Sequence, residues 1–323
     1  MGTLKNSPVG SLLVVAEQNG NAMTATNKSF RYNTSYSWFK GNTHIHSTAS
    51  DGGMQIPEIA DLYSAAQYDF IFFTDHWVSS DVDKEIKNPP LLLMDGIELD
   101  GYDQTGAFFH VVCLGKTDGI SRDDSLESAM QKARKQNCLI VLAHPRWTGN
   151  TFEDANRWNF DGVEIYNHVC HWMNGKSDGL AYWDAMLKKD PEILGFSVDD
   201  AHLRAEYPVW NGGWIVVNAP ELSRESILSA IKFGNFYSSC GPDFKSITCD
   251  GTYLQIECSP VQFIRLVGPG FYGWHTGSYD DELLTQACVE ISTSWDHIYI
   301  EIEDKEGKRA WSNTLFVWKE IDN

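Results

Sequence analysis

A chain of 323 residues that is 42% hydrophobic and 13% aromatic can bury a full core, which excludes a disordered polypeptide. A formal charge of −19 repels long polyanions and argues against duplex nucleic acid as a partner, although bound divalent cations would reverse the sign locally. The seven cysteines are scattered and form no C-x-x-C pair, so free thiols and a cytoplasmic, reducing setting are expected.

The first 35 residues are rich in Asn, Ser, Thr and Gly and read as a leader or a docked arm. Their apolar run at 11–16 is shorter than a secretory core segment, and no stretch is long enough to span a bilayer, so no membrane partner is expected. From residue 36 strands and helices alternate. "SWFKGNTHIHS" is the first strand, and 57–67 places Ile59, Leu62, Tyr63 and Ala66 on one helical face. "DFIFFTDH" is a short apolar run, as in a buried parallel strand. "LLLMDGIELDG" and "AFFHVVCLG" are strands, 125–136 a helix, and "CLIVLAHP" and "DGVEIYN" strands again. A helix over 180–189, the strand "ILGFSVDDAH", the strand "GGWIVVNAP" and a helix over 223–233 capped by Ser223 complete the series. This order predicts a parallel α/β fold, with a barrel as its closed form.

After residue 240 no helical pattern intervenes. Asp250–Gly251 lies between two alternating runs, which signals a hairpin, and further strands follow. The expected organisation is an arm at 1–35, an α/β unit at 36–240 and an all-β appendage at 241–323.

The histidines decide the function. His44 and His46 project from one face of a strand, and two imidazoles side by side favour a shared cation. His76, Glu98, His144, Asp200 and His202 fall at strand ends, with His110 inside a strand. In α/β barrels those carboxyl ends form one rim. A single histidine on an apolar strand is ordinarily a packed core residue, but this set points to a metal site.

H-x-H at 44–46, S-D-G at 50–52, T-D-H at 74–76, G-I-E at 96–98, the isolated His110, A-H-P at 143–145 and D-A-H at 200–202 resemble the PHP family in content and order. That family includes histidinol phosphatases and a domain of bacterial replicative polymerases. The resemblance covers about 36–240. It implies a distorted (β/α)7 barrel, here with a small C-terminal all-β domain, holding two or three divalent ions, Zn, Mn or Fe. It assigns His44, His46, Glu98 and Asp200 to a first ion. Glu98 would bridge to a second, held also by His110 and His144. Asp51, His76 and His202 would hold a third. Some relatives have histidine at the Asp51 position, and the carboxylate would favour a harder ion such as Mn or Fe, or leave that site weakly filled. Asp199 is acidic too, but neighbouring strand residues face opposite sides, which selects Asp200.

The implied chemistry is phosphoester hydrolysis. The ions lower the pKa of a bound water, supply the attacking hydroxide and stabilise charge on the phosphoryl oxygens. Glu98, Asp200 and His202 are the expected catalytic residues. Arg146 and Arg204 stand two positions after ligands and could clamp phosphate. His168, in "YNHVCH", is read as a loop residue contacting substrate. Glu164 and Asn167 are candidates for groups supporting the ligands, the alternative being a strand end and a helix cap. His275 lies in an aromatic, glycine-rich surface loop, and His297 is expected to be structural. Trp147, Trp172 and Trp210 are expected to pack the core or rim. The expected substrate is a small phosphorylated metabolite, such as a nucleoside phosphate or a histidinol phosphate-like alcohol. A nuclease trimming oligonucleotide ends and a metal-binding module without turnover are the rival functions. The sequence carries no signal for oligomeric state.

Overall fold

The structure is a computed structural model that describes residues 12–13, 26–79, 82–280, 282–291 and 295–320. Its core begins with the apolar strand Phe70–Phe73, in which every residue is buried. Phe70 and Phe72 pack into one hydrophobic cluster and Ile71 and Phe73 into another, as a two-residue period demands when both faces of a strand are covered. This strand runs parallel to Ser37–Asn42 on one side and Leu92–Tyr102 on the other. Leu139–Leu142, Gly162–Asn167 and Leu194–Val198 form a second parallel run.

The sheet is mixed rather than wholly parallel. Leu92–Tyr102 and Phe108–Leu114 form an antiparallel hairpin, and Phe108–Leu114 is antiparallel to Leu139–Leu142. The cause is the short 103–107 connection. Asp103 Oδ1 accepts from the N–H groups of Thr105 (2.8 Å) and Ala107 (3.0 Å), and a parallel crossover would need a dozen or so residues. Trp214–Ala219 is antiparallel to Ser37–Asn42 for the same sheet's other flank. Among the described residues no ladder joins Leu194–Val198 to Trp214–Ala219. One parallel bridge, Ile45 to Ala201, links the segments beyond the first and last strands, with the His46 N–H donating to the Ala201 carbonyl at 2.9 Å.

The helices form where the sequence places them. Ile56–Ala65 buries Ile56, Ile59, Ala60 and Tyr63. Ser125 caps Leu126–Lys135, and Ser223 caps Arg224–Phe233, each side chain accepting an N–H three residues on. Two segments differ from expectation. "HVCHWMN" is a helix, His168–Asn174, because the Asn167 side chain accepts the Cys170 N–H and starts a turn. His275 lies in a strand, Gly273–Gly277, at the edge of the large sheet, because Gly273–Gly277 pairs along its length with Phe263–Val267.

Beyond residue 240 the described elements are all strands. Phe244–Cys249, Tyr253–Val261 and Leu284–Glu290 make a separate three-stranded sheet, with the hairpin at Asp250–Gly251. Gly251 has φ +102°, a conformation glycine adopts without steric cost. Phe263–Val267, Gly273–Gly277, Tyr299–Glu303 and Arg309–Ser312 extend the large sheet, because Arg309–Ser312 pairs with Phe236–Ser239, whereas Phe316–Glu320 joins a separate sheet. Trp311 and Tyr299 share a core with Trp183, Met186 and Leu187 of the α/β unit.

Of the expected leader, residues 1–11 and 14–25 lie outside the described residues, and so does most of the apolar run at 11–16. Thr26–Phe30 pairs antiparallel with Phe316–Glu320, and the Tyr32 hydroxyl donates to the Phe236 carbonyl at 2.6 Å. No described helix is long and apolar enough to cross a membrane. The seven cysteines are free, and Cys113, Cys138, Cys170 and Cys258 are buried.

Candidate metal centre

The site is assembled where strands end. His44 and His46 follow Ser37–Asn42, and His76 follows Phe70–Phe73. Glu98 and His110 project from the two arms of the antiparallel hairpin. His144 follows Leu139–Leu142, and Asp200 and His202 follow Leu194–Val198. His144 and Asp200 have positive φ, +24° and +54°, in a region costly for residues with a Cβ. Such strain is concentrated where surrounding structure must aim a side chain.

Glu98 is the hub. Its Oε2 lies 3.1 Å from His44 Nε2, 3.2 Å from His46 Nε2 and 3.3 Å from His76 Nε2. Its Oε1 lies 2.8 Å from His110 Nδ1 and 3.3 Å from His144 Nε2. Asp200 Oδ1 is a second hub, 3.3 Å from His44 Nε2 and 3.1 Å from His46 Nε2. On the outer side His202 Nε2 is 3.2 Å from Asp51 Oδ2. Three overlapping groups can each converge on an ion: His44, His46, Glu98 and Asp200; His76, Glu98 and His110; and His46, Asp51, His76 and His202. They include every sequence-predicted ligand except His144, which meets Glu98 directly.

The surroundings fix which nitrogen faces inward. His44 Nδ1 lies 2.6 Å from Glu164 Oε1, so that nitrogen donates to Glu164 and Nε2 is the one turned to Glu98 and Asp200. His44 Nε2 is buried and has no hydrogen-bond partner, and neither has His46 Nδ1. An imidazole nitrogen left so at the junction of two buried carboxylates is suited to a cation. Thr148 Oγ1 lies 3.1 Å from His144 Nδ1, and the Asp200 carbonyl accepts from His202 Nδ1 at 2.9 Å. Asp100 Oδ1 lies 3.1 Å from His76 Nδ1.

Electrostatics point the same way. Burial pushes the Glu98 and Asp200 carboxyls up, but the surrounding histidines outweigh it and hold both below the usual range. Burial lowers His46, but its bonds to Asp200 and Glu98 lift it to about 10. The donor set of imidazoles and carboxylates therefore fits divalent ions, which would replace protons as the counter-charge.

No family model and no curated protein matches the chain. Among solved structures, a two-domain protein from Bacteroides vulgatus containing a predicted PHP-like metal-dependent phosphoesterase aligns over 88% of this chain and 96% of its own. The TM-score is 0.50 and the identity 14%. The chain has the fold of that PHP-like protein. An amidohydrolase from Chromobacterium violaceum aligns over 52% of this chain and 89% of its own, at 14% identity and a TM-score of 0.37. A candidate metal-dependent phosphoesterase from Bifidobacterium adolescentis aligns over 50% and 87%, at 11% identity and a TM-score of 0.39.

In this PHP-like fold a cleft of about 180 Å³ opens over the cluster, with Trp147, Val169, Met173 and Tyr207 completing its walls. The three substrate contacts expected from sequence do not line it. Arg146 is exposed, one position past the Pro145 that starts a short helix. Arg204 is engaged with the Asp51 carbonyl (3.3 Å) and Glu206 (3.6 Å). His168 turns into a different cleft, beside Tyr166 and Lys308, because the helix it starts sends Val169, Cys170 and Met173 toward the cluster instead.

Asp199 and Asp200 diverge just past the strand Leu194–Val198, where the positive φ of Asp200 turns its carboxylate to the cluster. Asp199 accepts the N–H groups of Asn211, Gly212 and Gly213 (2.9, 2.7 and 3.0 Å) and the Tyr63 hydroxyl (2.8 Å), away from the histidines. Glu164 does support a ligand, and Asn167 does cap a helix while its Nδ2 donates to Glu164 (2.9 Å) and Asp200 (3.1 Å). Sequence reasoning missed Asp100 and Thr148. Their signals were present: Asp100 is two residues from Glu98 on one strand face, and Thr148 is one helical turn after His144. His297 is buried, with burial lowering its pKa, at a distance in sequence from every ligand.

Proposed function

We propose that this protein is a hydrolase, a metal-dependent phosphoesterase acting on a small phosphorylated metabolite, built on a distorted (β/α)7 barrel with residues 241–323 as a bracing all-β domain. The observation that carries this is His44: one nitrogen held by Glu164, the other turned between two buried carboxylates, 3.1 Å from Glu98 and 3.3 Å from Asp200. His44, His46, Glu98 and Asp200 would hold one ion, Glu98 with His110 and His144 a second, and Asp51, His76 and His202 a third. Zn, Mn or Fe all suit imidazole and carboxylate donors, and Asp51 favours Mn or Fe on the outer side. Bound there, the ions supply a nucleophile at neutral pH and stabilise charge on the phosphoryl oxygens.

The chain's own residues do the rest. Glu98 and Asp200 set the spacing of the cluster, His202 and Asp51 form its outer lip, and Glu164, Thr148 and Asp100 orient imidazoles. A cleft of about 180 Å³ favours a small ester over an oligonucleotide, which is wider than a pocket of this size. The free thiols support a cytoplasmic setting.

The test is hydrolysis of a panel of phosphomonoesters, phosphodiesters and short oligonucleotides by metal-reconstituted protein, with Glu98→Ala alongside. Phosphate release from small esters, lost together with bound metal in the variant, is expected. Full metal occupancy with no turnover on any substrate would sink the proposal and favour a binding role.

A further inference from the structure

The cleft has two chemically different walls. Its floor is the histidine and carboxylate cluster. Its sides are Trp147, Met173 and Tyr207, and no lysine or arginine is among the described side chains that line it. Trp147 stands edge-on to His144 and His110, with ring centres 5.1 and 5.8 Å apart. Tyr207 stands edge-on to His202 at 6.1 Å, and Trp172 stands edge-on to Tyr207 at 6.1 Å.

Trp172 and Met173 are 49% and 39% exposed, although the same helix already buries Val169 and Cys170. Packing of the fold does not require those two exposed apolar side chains at the mouth of a polar site. An occupant of the cleft would cover Met173, which lines it, gaining about 25 cal/mol per Å² of apolar surface removed from water. Aromatic rings prefer edge-to-face or offset stacking with such walls.

We infer that Trp147, Met173 and Tyr207 form a leaving-group subsite for a flat, uncharged ring, so that the substrates are phosphomonoesters of ring-bearing neutral alcohols. This rests on the phosphoesterase assignment. Polyol and sugar phosphates would place hydroxyls against Trp147 and Met173, where neither side chain accepts a hydrogen bond well. Esters with a second phosphate or a carboxylate would bring an anion to side walls that carry no lysine or arginine. The cleft volume leaves room for about one ring beside the phosphoryl group.

The test compares two non-hydrolysable probes, phenylphosphonate and methylphosphonate, by calorimetric titration of metal-loaded protein. Metal content is measured on every sample. Met173→Ala and Tyr207→Ala are used because neither residue is a ligand in the cluster. The wild-type protein should bind phenylphosphonate at least about tenfold more tightly. The double variant should reduce that ratio to about threefold or less with methylphosphonate affinity unchanged, which also shows that the variant is folded. Equal affinities in the wild type, or equal weakening of both probes in the variant, would overturn the subsite. Hydrolysis of phenyl phosphate and glycerol phosphate separates the two claims. Turnover of both at similar rates removes the subsite and leaves the phosphoesterase. A phenylphosphonate preference without turnover of any ester leaves the subsite and removes the phosphoesterase. Binding of neither probe removes both.

Discussion

His44 shows how neighbours decide which ring nitrogen a single side chain turns to the cluster. Its Nδ1 is spent on Glu164, so only Nε2 remains for the cluster. Glu164→Ala frees the ring to rotate and to change tautomer. Metal affinity should fall about 10–100-fold, measured by competition with a chelator, while the fold is retained. Unchanged affinity would mean that Glu164 is merely a buried partner. The raised histidines carry a pH signature of their own. His46 is lifted from 6.5 to about 10 in the metal-free site, despite the opposing effect of burial, and His44 lies well above its ordinary value. A raised group stabilises the folded state below its unfolded pKa and loses that contribution as pH rises through the folded value. Metal-free protein should therefore lose thermal stability between pH 6.5 and about 10. Metal-loaded protein should not, because the ion replaces the protons. Titration at pH 7 in buffers of different ionisation heat should register proton release on metal uptake.

At the scale of elements, the position of the cluster depends on how helices seat against strand ends. The helix Leu180–Leu187 begins where Gly179 passes over the strand Gly162–Asn167. The Gly179 N–H donates to the Ile165 carbonyl at 3.0 Å, and a Cβ on Gly179 would overlap the Glu164 carbonyl oxygen. Gly179→Ala must push that strand or the helix aside, and the group displaced is backbone. A loss of about 1–3 kcal/mol in chemical denaturation is expected, with weaker metal binding because Glu164 moves. Retention of wild-type stability and metal affinity would show that the strand end tolerates the shift. The same reasoning explains a departure from the sequence-based expectation. The 103–107 turn is too short for a crossover, so Glu98 and His110 come from antiparallel neighbours and stand diagonally across one ladder, with His110 directly opposite Asp100.

At the scale of the molecule, strands after residue 240 share a sheet and a core with the α/β unit. Arg309–Ser312 continues the sheet from Phe236–Ser239, and Trp311 and Tyr299 fill a core shared with Trp183. Trp183 and Tyr299 lie with ring centres 4.5 Å apart. A chain ending at residue 240 would expose this core and leave an open sheet edge. It should be insoluble or lack a cooperative thermal transition, as followed by circular dichroism. A soluble truncated chain with full metal uptake would show that residues 36–240 suffice. The arm is part of the same assembly, since Thr26–Phe30 pairs with Phe316–Glu320 near the other end of the chain.

What the amino-acid sequence determined by itself is local. Apolar runs such as "FIFF" mark buried strands, and Ser125 and Ser223 mark helix starts. The order of His44, His46, Asp51, His76, Glu98, His110, His144, Asp200 and His202 along those elements was therefore legible. Tertiary structure decided whatever depends on segments distant in the chain. It selects the nitrogen that each imidazole turns inward, through Glu164, Thr148 and the Asp200 carbonyl. It carries His168 away from the cluster and brings Met173 and Tyr207 to the mouth of the cleft. It also joins the last strands to the first sheet. Side-chain direction at a helix start and pairing at a sheet edge are settled by the partners that become available on folding, and local periodicity does not encode those partners.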